Sequence, residues 1–214
     1  LGLREKEIPV VKGPVINDNG TITFKYKNTE AKSVYLSSNI NDWSKNSNAF
    51  TKLDDENWSL TLRIGDKEQD VFYKFIVDGE EILDPDNEEV KDEVSYLKFN
   101  EYKGRPVTIP GSLAAGIEGT SGTWNPADKA LQLDYIGNGN YRKTFTVKAG
   151  NYDYKAAINY NWDPENYGLK GVIQGENIHL SLEEKQDVTF YYNDDSHIIT
   201  SSIDYKALDI VLNN

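Results

Sequence analysis

The sequence predicts an all-β chain built as two β-sandwiches in tandem. Two observations lead to that reading: short segments alternate apolar with polar residues between turns rich in Asn, Asp and Gly, and no stretch sustains a helical 3.6-residue period. A third, the recurrence of the same markers in both halves, divides the chain in two. A length of 214 residues suits one large or two ordinary domains. The net charge of −12 repels phosphate backbones and anionic lipid, which argues against nucleic acid and membrane surface as partners. Without cysteine there is neither a disulfide framework nor a thiolate metal site. No apolar run approaches the ~18 residues of a spanning helix. The composition, rich in Tyr, Asn, Thr and Asp and poor in Ala and Leu, fits a secreted all-β protein. A chain that starts at Leu1 and contains no methionine is expected to be a segment of a longer product.

In order along the chain, Asn17-Asp18-Asn19-Gly20 is a turn into the strictly alternating strand 21–27. Strands follow at 33–38, 57–64, 70–77 and 93–99. In the segment 57–64, Trp58, Leu60, Leu62 and Ile64 share one face and should pack the core. The polar connector 100–106 ends in Pro106, which favours an extended exit, and the domain boundary is placed there: 1–104 and 105–214. After it, strands are expected at 107–109, 130–135, 141–147, 152–158, 177–182, 188–192 and 197–203. Trp43 stands before Tyr73-Lys74 at the same interval as Trp124 before Tyr154-Lys155. Asn57-Trp58 answers Asn140-Tyr141, and Asp84-Pro85 answers Asp163-Pro164. Four markers in one order read as a duplicated sandwich.

The stretch 151–168 organises the second half. Its first part alternates like a strand, and its second part reads as a turn carrying Trp162, so Lys155 and Trp162 should meet at the lip of a sheet. Sugars present C–H patches on a ring face and hydroxyls at the edge, so their sites combine an aromatic plane with a few donors and acceptors. Trp124 in the Gly-rich loop 116–128 and Trp162 are the candidate planes; two inclined rings would suit the curved face of an α-linked glucan. Lys155, on the strand face opposite Tyr154, Ala156 and Ile158, can donate to hydroxyls. Asn177 offers donor and acceptor together, and Tyr167 would widen the platform.

Blander roles compete with these. Tryptophan in a sandwich is ordinarily core, as expected for Trp58, and a single lysine is ordinarily a solvated surface residue. Asn177 could equally satisfy backbone in a turn. No catalytic constellation stands out, and His179 and His197 lack a third ligand at a recognisable spacing, so no metal and no cofactor are expected. Asp84-Pro85-Asp86-Asn87-Glu88 begins like a calcium loop but has Glu89 where the glycine belongs and Ser95 where the closing acid belongs.

These residues carry a resemblance. Val34 to Ser44, Phe72 to Gly79 and Asp84-Pro85 resemble the glycogen-binding modules (carbohydrate-binding module family 48) of the AMP-activated kinase β-subunit and of starch-branching and debranching enzymes. Pro110 to Leu113, Gly122 to Pro126, Ala149 to Asn159, Trp162, Asn166 to Gly168, Asn177 to Leu182 and Val188 to Tyr192 resemble the accessory X-type module that precedes the catalytic domain of bacterial pullulanases, itself similar to the starch-binding domains of the Bacteroides Sus lipoproteins. The resemblance implies immunoglobulin-like sandwiches from a secreted or cell-surface starch-degrading protein, with α-glucan and the parent chain's catalytic domain as partners. It implies glucan contacts at Trp124, Lys155, Trp162 and Asn177. In the first half only Trp43 and Lys74 persist, because Glu81 stands after Lys74 where Trp162 stands after Lys155. The expectation is a non-catalytic glucan-binding tandem whose first domain is a spacer or degenerate binder. The alternative is a spacer that packs on a catalytic domain and binds no sugar.

Overall fold

Alternation of buried and exposed positions shapes the first of two compact units, Leu1–Tyr102 and Lys103–Asn214. The structure is a computed structural model and describes residues 12–204; the outer ends of both expected domains lie outside that range. The strands of the first unit are β1 (Val15–Ile16), β2 (Ile22–Lys27), β3 (Val34–Ser38), β4 (Thr51–Lys52), β5 (Asn57–Leu62), β6 (Gln69–Val77), β7 (Glu80–Ile82), β8 (Val90–Lys91) and β9 (Val94–Phe99). They form one antiparallel sheet in the order β1-β2-β5-β4 and another in the order β3-β6-β9-β8, with β7 added to β6. β2 sends Ile22, Phe24 and Tyr26 inward and its lysines outward, the pattern of a sheet wet on one face. Trp58 is buried, and Leu60, Leu62 and Ile64 pack against the same core, as their shared face requires. Edge-to-face contacts between Phe24 and Tyr73 at 5.0 Å and between Phe50 and Phe75 at 5.2 Å close that core.

Asp84 is buried and accepts a hydrogen bond from the Tyr73 hydroxyl at 2.7 Å, so it serves the core and not a calcium loop. Burial, the dominant influence, raises its carboxyl above the ordinary value against the opposing hydrogen bond from Tyr73. Among the described residues no group of three His, Cys, Asp or Glu side chains could hold a metal.

The second unit has β10 (Val107–Thr108), β11 (Asp134–Gly137), β12 (Asn140–Val147), β13 (Gly150–Tyr154), β14 (Ala156–Ile158), β15 (Asn161–Tyr167), β16 (Ile178–Leu182), β17 (Gln186–Asn193) and β18 (Ile199–Ser201). Its sheets run β11-β12-β17-β18, β10-β14-β15 and β13-β16. They enclose one core that includes Val107, Leu131, Tyr141, Val147, Tyr154, Val188 and Phe190. Among the described residues the fold is nearly all-β, and every strand pair is antiparallel.

Two expectations need correction. The strand 152–158 is two strands: β13 pairs with β16, β14 pairs with β10 and β15, and the break falls at Lys155. The segment 130–135 begins as a tight 3-10 turn, Lys129–Leu131, because the Asp128 carboxylate accepts from the Ala130 backbone N–H; the strand starts only at Asp134.

Candidate glucan site

The site of the second unit is assembled from four segments. The first is the loop that carries Trp124, and it starts at Gly111, where the backbone lies against β13. A Cβ at Gly111 would sit 2.0 Å from the Asp153 carbonyl oxygen and 2.6 Å from the Tyr154 Cα, so only glycine fits. The Gly111 carbonyl accepts from the Trp124 N–H at 3.2 Å, and the neighbouring Pro110 carbonyl accepts from the Lys155 N–H at 3.1 Å. Two adjacent carbonyls therefore tie the tryptophan loop to the lysine strand. The loop is laced further by Asp128, which accepts from Ser121 N–H at 2.6 Å, and by Thr108, whose hydroxyl donates to the Pro126 carbonyl at 2.8 Å. Trp124 itself has φ 58°, a left-handed conformation costing of order 1 kcal/mol that persists because these bonds over-determine the loop. Trp43 takes the same conformation, φ 57°, in the first unit.

The second segment carries Trp162. Asn159 and Tyr160, both left-handed, make the tight turn between β14 and β15. Ile158 pairs with Asn161, whereas Ala157 pairs with Asn166, so residues 162–165 form an excursion with no partners on β14. Trp162 is thus displayed from a bulged strand just past the turn, a correction to the expected turn position. The excursion is anchored at its far end. Asn166 donates its side-chain N–H to the Trp162 carbonyl at 2.9 Å, and Glu165 receives Arg105 Nη1 at 2.5 Å and the Tyr167 hydroxyl at 2.8 Å.

With both segments in place, the Trp124 and Trp162 ring centroids are 6.2 Å apart and the planes are inclined by 38°. Trp124 is 37% exposed, and Trp162 is half-buried. Lys155 is half-buried at the end of β13 and makes no ion pair with another described residue. The β13–β16 register ends at Tyr154 opposite Ile178; one step further stand Lys155 and the exposed Asn177. Of the expected residues, Trp124 and Trp162 therefore meet, and Lys155 is tied to the Trp124 loop through the Pro110 and Gly111 carbonyls.

Tyr167 does not join them. It is 4% exposed, with its ring stacked on His197 at 4.0 Å, so neither its face nor its hydroxyl is presented outward. The end of the excursion is the reason: past it, Asn166, Tyr167 and Gly168 are all buried, because the chain has returned to the interior.

What the sequence did not single out is the buried ion group beneath the excursion. Arg105 extends from the connector into the interior, donating from Nε and Nη2 to the fully buried Asp194 at 2.9 and 2.8 Å and from Nη1 to Glu165. Burial lowers the guanidinium's pKa, but the hydrogen bonds and charges of Asp194 and Glu165 outweigh it and hold the pKa above its ordinary value. The Tyr192 hydroxyl donates to Asp194 at 3.1 Å, and burial, then the Asp194 charge, raises that phenol. An arginine in a polar connector looks like a surface residue in sequence; the proline after it is its one distinguishing feature.

In the first unit Trp43 is 42% exposed and near Lys74, since the Ser37 hydroxyl donates to the Trp43 carbonyl at 3.1 Å and Ser37 pairs with Lys74. Among the described residues Trp43 has no ring partner. Glu81 lies 3.5 Å from Lys74 and 2.5 Å from Lys45, and its carboxyl is lowered chiefly by Lys45. Lys74, the counterpart of Lys155, is engaged by a carboxylate.

Residues 106–199 match the family Pullulanase X25 domain. The chain is 34% identical over 120 residues to an amylopullulanase of Thermoanaerobacterium thermosulfurigenes, covering 55% of this chain and 6% of that protein. It is 39% identical over 93 residues to an amylopullulanase of Thermoanaerobacter thermohydrosulfuricus, covering 43% and 6%. It therefore spans less than a tenth of these relatives' length. Among solved structures, a pullulanase from Bacillus acidopullulyticus aligns with a TM-score of 0.43 and 16% identity, over 92% of this chain and 18% of that one. Over residues 106–199, somewhat less than half of its length, the chain is thus similar to the Pullulanase X25 domain family.

Proposed function

We propose that the second unit binds α-glucan without catalysis and holds starch, pullulan or maltooligosaccharide near an active site elsewhere in a secreted or cell-surface parent protein. The observation that carries the reading is the Trp124–Trp162 pair, 6.2 Å apart and tilted by 38°, with the Lys155 strand tied to the Trp124 loop through Pro110 and Gly111. Two inclined indoles offer a concave apolar surface to the C–H faces of successive glucose rings in a curved α-1,4 chain, where a flat chain would touch only one. Lys155 and Asn177 supply the donors and acceptor for the ring hydroxyls. Affinity per site is expected between about 10 μM and 1 mM, because the ligand is flexible and few groups are buried. With Lys74 held by Glu81, Trp43 alone leaves the first unit a spacer or degenerate binder.

Calorimetric titration of maltoheptaose into the wild-type chain and Trp162→Ala tests this. Binding that the substitution abolishes supports the reading; absence of heat with wild type, together with no retention on insoluble starch, overturns it.

A second reading, a spacer that packs on the parent's catalytic domain, is favoured by a different face. Ile136, Tyr191 and Ile198 stand exposed along a groove on the outer side of the β11-β12-β17-β18 sheet, a concentration of apolar surface suited to a protein neighbour. A Tyr191→Glu exchange that leaves maltoheptaose affinity unchanged but loosens the parent protein's proteolytic resistance would separate the two roles.

A further inference from the structure

The outward face of β13 and β16 is a ladder of cross-strand polar pairs that leads away from the tryptophans. Next to Lys155 and Asn177 along the register comes Asp153 opposite His179, with His179 Nδ1 3.1 Å from the Asp153 carboxylate; then Asn151 opposite Ser181, whose hydroxyl donates to the asparagine carbonyl at 2.8 Å. The alternate residues, Tyr152, Tyr154, Ile178, Leu180 and Leu182, point into the core, which fixes the polar set outward. From Lys155 to Asn151 the row runs about 13 Å at the rise of an extended strand, several ring widths of a sugar chain.

We propose that this face is a row of polar subsites continuing the aromatic site, so that an α-glucan seated on Trp124 and Trp162 extends past Lys155 and Asn177 over the Asp153–His179 and Asn151–Ser181 pairs. The inference rests on the glucan-binding reading above and adds to it a direction and a minimum chain length. Each pair commits one side-chain atom of each partner to the other, and Nε2 of His179, the other carboxylate oxygen of Asp153 and the amide nitrogen of Asn151 take no part in it. A sugar hydroxyl both donates and accepts, so a fixed donor beside a fixed acceptor meets vicinal hydroxyls with little further ordering. The pairs are short, so the chain can lie close to the backbone, and the registration with Lys155 makes the row continuous with the rim.

The test compares maltotriose with maltoheptaose on the wild-type chain, His179→Ala and Asn151→Ala by calorimetry, with thermal midpoints measured for each protein. Both variants alter exposed side chains, and their midpoints are expected to match wild type. Wild type is expected to bind maltoheptaose about tenfold more tightly than maltotriose. In each variant that ratio should fall to the few-fold that multiple binding registers alone provide, while maltotriose affinity stays within about twofold of wild type. Variants that keep the wild-type ratio overturn the row and leave the aromatic site standing; so does a wild type that binds both sugars equally. A wild type that binds neither overturns the row and the glucan reading together.

Discussion

Arg105→Met provides the most quantitative test of how the second unit holds its site. The substitution keeps an apolar stem of similar length but removes the guanidinium that meets Asp194 through two hydrogen bonds at 2.9 and 2.8 Å. Asp194 is 0% exposed, so its carboxylate would be left buried with the Tyr192 hydroxyl at 3.1 Å and His197 Nδ1 at 3.9 Å beside it, and breaking such a pair from one side costs about 3–5 kcal/mol. Glu165 is 29% exposed at its side chain and can hydrate, so its loss of Arg105 adds little. In a unit of roughly one hundred residues, at about 4 °C per kcal/mol, the midpoint should fall by about 12–20 °C. Scanning calorimetry should resolve this as a shift of one transition, with the first unit's transition unmoved. The double variant Arg105→Met/Asp194→Asn removes the buried charge as well and should recover most of the loss. A single variant within about 1 kcal/mol of wild type, or a double variant no better than the single, would refute the argument that Asp194 needs its partner.

Three further outcomes are expected. Gly111→Ala places a Cβ 2.0 Å from the Asp153 carbonyl oxygen, and backbone must move to admit it; the second unit should lose about 3 kcal/mol by urea titration, with weakened maltoheptaose binding as the Trp124 tether shifts. Trp162→Phe should abolish the exciton couplet that two indoles 6.2 Å apart contribute to the far-ultraviolet circular dichroism, whereas Trp43→Ala should leave both that couplet and maltoheptaose affinity intact. Asp78, which accepts from the Ser33 and Lys32 N–H groups, has a carboxyl held below its ordinary 3.8, first by the Ser33 backbone bond. Its folded-state stabilisation is therefore present above pH 3.8 and lost as pH falls through the lowered value, so between pH 5 and pH 2 the first unit's midpoint should drop further in wild type than in Asp78→Asn.

Much of the architecture was legible because a strand wet on one face writes its period into the sequence. β2, β5, β12 and β17 all declare themselves by alternation, and the inward set Trp58, Leu60, Leu62 and Ile64 follows from the same rule. The very short strands did not: Val15–Ile16, Thr51–Lys52 and Val90–Lys91 hold too few residues for a period and exist because a neighbour's edge accepts them. β14 was hidden differently. Ala156, Ala157 and Ile158 are all buried, since β14 lies between β10 and β15 and is covered on both faces, so its alternation disappears.

By itself the sequence determined which residue types are available: two loop tryptophans, a lysine on the outer face of a strand, an asparagine opening a later strand, and a glutamate where the first half would need an aromatic. Their meeting was a tertiary decision. Trp124 and Trp162 approach because the Pro110 and Gly111 carbonyls bind two segments at once and because Arg105, Glu165 and Asp194 pin the bulged strand from beneath. Tyr167 shows the converse. Its position five residues after Trp162 suggested a shared platform, yet past the bulge the strand is buried and the ring stacks on His197. Period and composition are local properties that a chain carries in its letters; a bulge, a buried ion group and a backbone contact too close for a Cβ depend on segments far apart in sequence, and only folding brings those together.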